Sequence, residues 1–167
     1  MRRRAAAAMA PATVVIALLA TLGRPTPLLL WNASASSPTG LYRVARAPRV
    51  ARGDMVVAWP PASARALAAE RHYLPLGVPL VKQVAAIAGD QVCGRGAELL
   101  INGLAVAARR AADPSGRPLP WWTGCVRLGG GDVLLLSPNV PQAFDGRYFG
   151  ITRRSEIVGK AKLLWPA

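Results

Sequence analysis

Ile101-Asn102-Gly103-Leu104 places Asn-Gly between two apolar runs. That dipeptide favours a two-residue type I′ hairpin, because both central residues of the turn need positive φ. The flanking runs, Glu98–Ile101 and Leu104–Ala107, therefore read as antiparallel neighbours. Outward from them the same grammar recurs: short apolar runs at Leu41–Val44, Asp54–Trp59, Leu80–Ala86, Gln91–Cys93, Asp132–Leu136 and Ile157–Leu164, punctuated by Gly, Pro, Asn and Asp. From Leu28 onward the chain is predicted to be mostly β and antiparallel. Ser63–His72 alone reads as a helix of any length, with Ser63 as its cap. Ala111–Pro120 reads as a surface loop, and no internal repeat is visible.

At 167 residues the chain is of single-domain size and long enough to bury a core. Its net charge of +13 admits nucleic acid, an anionic membrane surface or an acidic protein as partner. Nucleic acid fits poorly, since the arginines are scattered rather than clustered with stacking aromatics. An Ala-rich, Arg-rich coding bias would give the same charge. Charge placement is more telling. Arg2, Arg3 and Arg4 precede nineteen uncharged residues, Ala5 to Gly23, which Arg24 closes. At about 1.5 Å per residue such a stretch spans roughly 28 Å, close to the hydrocarbon thickness of a bilayer. Residues 1–24 are read as a membrane anchor, with a cleaved signal peptide as the competing reading, and residues 25–167 as an exported domain.

Cys93 and Cys125 fall in the exported part. In an oxidising compartment an even pair usually means one disulfide, and in a cytosolic protein two core thiols. With no third Cys and a single histidine, His72, a zinc site is not expected.

Strand alternation in Leu80-Val81-Lys82-Gln83-Val84-Ala85-Ala86 puts Lys82 on one face with Leu80, Val84 and Ala86. Two readings follow. Lys82 is an edge-strand lysine that snorkels to water, or a desolvated amine whose pKa falls toward neutrality and which can accept a proton. A nucleophile for such a base would come from Ser34, Ser36 or Ser37 in Asn32-Ala33-Ser34-Ala35-Ser36-Ser37-Pro38-Thr39-Gly40, a stretch that otherwise reads as a solvated linker. His72 stands beside no nucleophile, which tells against a Ser-His-Asp triad.

Taken together these segments resemble the Ser/Lys signal peptidases and, within them, the TraF-type conjugative transfer signal peptidases. Asn32 to Tyr42 is similar to the nucleophile box, in which a serine stands two before the Pro of a Pro-x-Gly-Leu-Tyr run. Tyr73 to Val84, continuing to Gly89-Asp90 and Val92-Cys93, is similar to the lysine box, and Leu100-Ile101-Asn102-Gly103 to the hairpin after it. Phe144-Asp145-Gly146-Arg147-Tyr148-Phe149-Gly150, running on to Ile157–Ala161, is similar to the terminal box. The resemblance implies Ser36 as nucleophile in preference to Ser37, and Lys82 as general base. It further implies Ser34 with the Ser36 N–H as oxyanion hole, Asp145 as an important acid and Arg147 as its partner. A Cys93–Cys125 disulfide fits the same pattern. Ala143 and Gly146 depart from it, since general signal peptidases often carry Ser there, and the departures tell against a lysine-orienting hydroxyl from this segment.

The resemblance thus implies a signal-peptidase-like β domain behind one N-terminal transmembrane helix, anchored in the inner membrane and facing the periplasm. It would be a serine endopeptidase needing neither metal nor cofactor. Its partners would be the lipid bilayer and a pilin or other preprotein precursor of a type IV secretion apparatus, with circularised pilin as one outcome. Leu28–Trp31 would either seat the domain in the bilayer interface or form an ordinary core strand. A general type I signal peptidase and a noncatalytic exported scaffold remain as alternatives.

Overall fold

A computed structural model describes residues 29–167. The anchor read on residues 1–24 lies outside them, and no helix of the described residues is long and apolar enough to cross a membrane. Eleven strands run β1 (Leu29–Asn32), β2 (Gly40–Ala45), β3 (Met55–Ala58), β4 (Leu80–Ala86), β5 (Gln91–Arg95), β6 (Glu98–Ile101), β7 (Leu104–Ala108), β8 (Gly124–Arg127), β9 (Val133–Leu136), β10 (Ile151–Thr152) and β11 (Ile157–Pro166). Two α-helices, α1 (Ala62–Glu70) and α2 (Gly146–Phe149), interrupt them. One sheet has the order β1-β2-β11-β3-β4-β9-β10 and the other β7-β6-β5-β8. Every pairing is antiparallel.

The Asn-Gly hairpin forms as read: Asn102 and Gly103 have φ of 51° and 84°, and Ile101 pairs with Leu104. Consecutive β9 side chains serve opposite faces, so all four are buried. Leu134 and Leu136 meet Val92, Leu99 and Ile101 of the smaller sheet, while Val133 and Leu135 join Val56, Ala58 and Val84. A third cluster holds Tyr42, Val44, Val57 and Val81. β4 lies between β3 and β9, so the edge-strand reading of Lys82 is wrong.

Other differences are local. α1 starts at Ala62 behind Pro61, not at a Ser63 cap, because Pro61 at φ −49° and ψ 151° lacks the N–H that a helix start leaves unpaired. β1 is an edge strand rather than a core strand, with Leu29 and Trp31 more than half exposed. Trp31 and Trp165 flank Leu41 in register on either side of β2, so an exposed apolar rim borders the serine-bearing turn. The Gly in Pro38-Thr39-Gly40 is required here. Its φ is 138°, and a Cβ would stand 2.1 Å from the Trp165 carbonyl oxygen.

Cys93 and Cys125 are directly opposed on β5 and β8 and form a disulfide. β8 is solvent-exposed along its length, so little apolar burial holds it. The bond closes a loop of 32 residues' separation, which in the chain-entropy account contributes about 3–4 kcal/mol. The Cys93→Ser/Cys125→Ser protein is expected to melt roughly 10 °C lower than the oxidised protein by thermal unfolding, and reductant is expected to reproduce the shift.

Candidate active site

The turn from β1 to β2 carries the three serines, and Asn32 fixes its shape. The Asn32 side-chain amide donates to the carbonyls of Ser34, Ser37 and Pro38, while its Oδ1 accepts the Ser34 N–H. Ser36 Oγ and Ser34 Oγ are 2.9 Å apart, and the Ser36 N–H donates to Ser34 Oγ at 3.3 Å. Ser34 Oγ thus touches both the hydroxyl oxygen and the backbone N–H of Ser36. Ser37 is committed elsewhere: buried, it donates its hydroxyl to the Val81 carbonyl at 2.6 Å. That bond fastens the turn to β4 at the residue preceding Lys82. Ser37→Ala should leave processing measurable but reduced severalfold, and should cost about 1 kcal/mol of stability in urea unfolding. Complete loss of processing would reopen the choice of nucleophile.

Lys82 is 1 % exposed. Burial lowers its pKa to about 8, with the Asp145 carboxylate pulling it back up and the Arg147 guanidinium pushing it down. Its Nζ donates to Ser137 Oγ at 2.7 Å. Lys82 and Ser36 are not hydrogen-bonded to each other, since Ser36 Oγ meets Ser34 and the amine meets Ser137. Both nevertheless line one cavity of about 770 Å³. Catalytic hydrogen bonds are often long before substrate arrives and tighten in the complex.

Ser137 is a candidate site residue that the sequence reading missed. Leu136 pairs with Gln83 in the β4–β9 ladder, so one residue further along lies Ser137, next to Lys82. The two departures from the family pattern have a physical reading. Gly146 has no room for a side chain, because a Cβ would lie 2.7 Å from the Leu135 carbonyl oxygen and 2.8 Å from Leu134 Cδ1. Ala143 is buried and brings no hydroxyl. The hydroxyl facing the lysine comes instead from the end of β9.

Asp145 and Arg147 hold Ser137 in place. The Ser137 N–H donates to Asp145 Oδ2 at 2.8 Å, and its carbonyl accepts from Arg147 Nη2 at 3.1 Å. Asp145 and Arg147 pair at 2.7 Å with their side chains 0 % and 2 % exposed. Asp145 also caps α2 by accepting the Arg147 N–H. Arg147 donates further to the carbonyls of Val140 and Pro141. The pair therefore shapes the 137–145 loop, meets the amine through Ser137 and also acts on its charge through space. His72 is exposed at φ 59° beyond α1 and contributes nothing to this cluster. Among the described residues no group of His, Cys, Asp and Glu could hold a metal ion.

The family model described as signal peptidase, peptidase S26, matches residues 1–166. The chain is 39% identical over 137 residues to a plasmid transfer protein TraF of Escherichia coli, covering 76% of this chain and 77% of that one. It is 36% identical over 165 residues to a second Escherichia coli plasmid transfer protein TraF, covering 93% and 92%. A signal peptidase I structure from Enterococcus faecalis V583 is similar with a TM-score of 0.39 and 19% identity, over 67% of this chain and 96% of that chain.

Proposed function

The chain belongs to the signal peptidase family, peptidase S26, and from that premise we propose that it is a membrane-anchored serine endopeptidase working through a Ser36–Lys82 dyad. Neutral Lys82 takes the Ser36 proton, and Ser36 Oγ attacks the scissile carbonyl. The oxyanion is held by the Ser36 N–H and the Ser34 hydroxyl. Lys82 then passes its proton to the leaving amine, and water or another amine releases the acyl group. One observation carries this reading: a lysine sealed into an interior strand, its pKa brought to about 8, on the wall of the cavity that holds Ser36. A noncatalytic scaffold has no use for such an amine, whose charged form is costly to bury.

The substrate we propose is a pilin precursor of a conjugative secretion apparatus, because the relatives over most of the chain are plasmid transfer proteins. The domain would face the periplasm, with the Trp31–Leu41–Trp165 rim seated at the bilayer interface beside the anchor. Co-expressing a conjugative pilin precursor with the wild-type protein and with Ser36→Ala tests the reading. Wild type should shorten the precursor and Ser36→Ala should leave it intact. A product lighter by one water than the linear peptide would mark circularisation. A precursor cut equally by both proteins would end the Ser36 assignment.

The base predicts a pH dependence. Below its pKa the amine is charged and cannot accept a proton, so kcat/KM should rise with pH and level off above about 8. Each pH unit below that point should cost about tenfold, giving roughly a hundredfold loss at pH 6. A flat profile between pH 6 and 9 would remove Lys82 as base.

A further inference from the structure

Three arginines from two distant stretches of the sequence meet in the fold. Arg71, just beyond α1, and Arg110 and Arg117, in the segment between β7 and β8, line the same cavity as Ser36 and Lys82. Asp113 is the one acid on that wall, and its bonding capacity is spent. With its side chain 2 % exposed, it accepts from Arg117 Nε at 2.7 Å, from the N–H groups of Ser115 and Arg117 at 2.9 Å, and from the Tyr73 hydroxyl. Arg71 Nη1 stands 3.9 Å from it and donates to the Pro118 carbonyl.

One carboxylate cannot neutralise three guanidinium groups. Arg110 is exposed, and its guanidinium makes no ion pair or hydrogen bond among the described residues. Its backbone is held by the Tyr148 hydroxyl and the Trp121 indole. Arg117 keeps 41 % of its side chain exposed while Asp113 holds one edge of its fork and Tyr73 lies beneath it, 5.6 Å from ring centroid to Cζ. Its Nη2 donates to the Arg71 carbonyl at 3.3 Å, so the guanidinium is fixed by two partners and presents Nη1 to a ligand oxygen.

We propose that Arg71, Arg110 and Arg117 form a carboxylate-binding subsite of the cavity, so that the peptide bound there carries an acidic side chain or a free C-terminal carboxylate. The subsite rests on the peptidase reading of the cavity and adds the charge of the substrate to it. Arg110 and Nη1 of Arg117 make the contact. Arg71 and Asp113 hold the 110–119 segment in register beneath them.

Binding can be tested apart from catalysis. Three fluorescent hexapeptides, identical except for one Glu with an amidated C-terminus, Gln with a free C-terminus, and Gln with an amidated C-terminus, are titrated into the full-chain Ser36→Ala protein in detergent. At least one carboxylate peptide should bind about ten- to a hundredfold more tightly than the neutral one. Which of the two does so identifies a side-chain or a terminal carboxylate. Arg110→Gln and Arg117→Gln should each erase most of that preference. Arg95→Gln removes the same charge from the exposed end of β5, outside the cavity, and should leave the preference intact. Equal affinity for all three peptides, or a preference lost equally in Arg95→Gln, overturns the subsite and leaves only attraction to a basic protein. Failure of the peptidase reading would show separately, as precursor cutting by Ser36→Ala.

Discussion

Lys82→Met is expected to abolish processing while leaving a folded protein that is more stable at pH 7 than the wild type. Loss of a general base alone removes about 10²–10⁴ in rate. The stability gain follows from linkage. The amine titrates near 10.5 when free and near 8 in the folded protein, so below about pH 8 the native state carries a buried charge that the unfolded chain carries in water. That penalty is on the order of 3 kcal/mol at neutral pH, at about 1.4 kcal/mol per pKa unit. It shrinks as pH rises from about 8 to 10.5, where the unfolded chain binds more protons than the folded one. Methionine has nearly the same length and no charge, so it removes the penalty and gives up one hydrogen bond to Ser137, worth about 1 kcal/mol. Thermal unfolding at pH 7 should therefore show a Tm a few degrees higher for Lys82→Met, with the gap closing toward pH 10. An ordinary core lysine snorkelling to water would show no gain. Retained processing by Lys82→Met would end the dyad outright.

What made Lys82 legible was periodicity. Alternation placed it with Val84, and both are buried, but a β-bulge between Val84 and Ala86 turns Ala86 to the opposite face, against Leu134 and Leu136. Asn102-Gly103 was legible because its turn has a backbone requirement that few other dipeptides meet. β8 was not, since Gly124-Cys125-Val126-Arg127 is exposed throughout and carries no apolar pattern to read. Ser137 was invisible for a different reason. In Leu136-Ser137-Pro138-Asn139 it looks like the start of a turn, and only the register of β9 against β4 brings its hydroxyl to the amine. The arginines around the cavity follow the same rule. Asp113 and Arg117 are an i,i+4 pair within one loop, but Arg71 reaches Asp113 only through tertiary folding, and linear spacing holds no trace of that. The Ala111–Pro120 segment is the surface loop it reads as, anchored by a buried aspartate and an Ala112–Pro118 bridge that its composition does not announce.

Asp145→Asn is expected to be the most destabilising single change in the site, and its effect on the pH profile separates positioning from mere structure. The substitution leaves the Arg147 guanidinium, 2 % exposed, without a counter-charge. Breaking one half of a buried pair in this way costs about 3–5 kcal/mol. It also turns an amide N–H₂ toward donors, because Asp145 accepts from the Ser137 N–H and from the Arg147 N–H, Nε and Nη2. Arg147→Met should cost a similar amount by stranding the carboxylate. The double variant should be less destabilised than the sum of the two, and urea unfolding of the four proteins measures that coupling. Catalysis gives the sharper test. Asp145 raises the pKa of Lys82 and Arg147 lowers it. Measured on folded protein at low temperature, the acid limb of kcat/KM should move below about 8 in Asp145→Asn and above it in Arg147→Met. Two limbs shifted in opposite directions identify two charges that act on the amine through space. Two variants that only lose activity in proportion to the unfolded fraction, with the limb unmoved, would reduce the pair to a structural clasp.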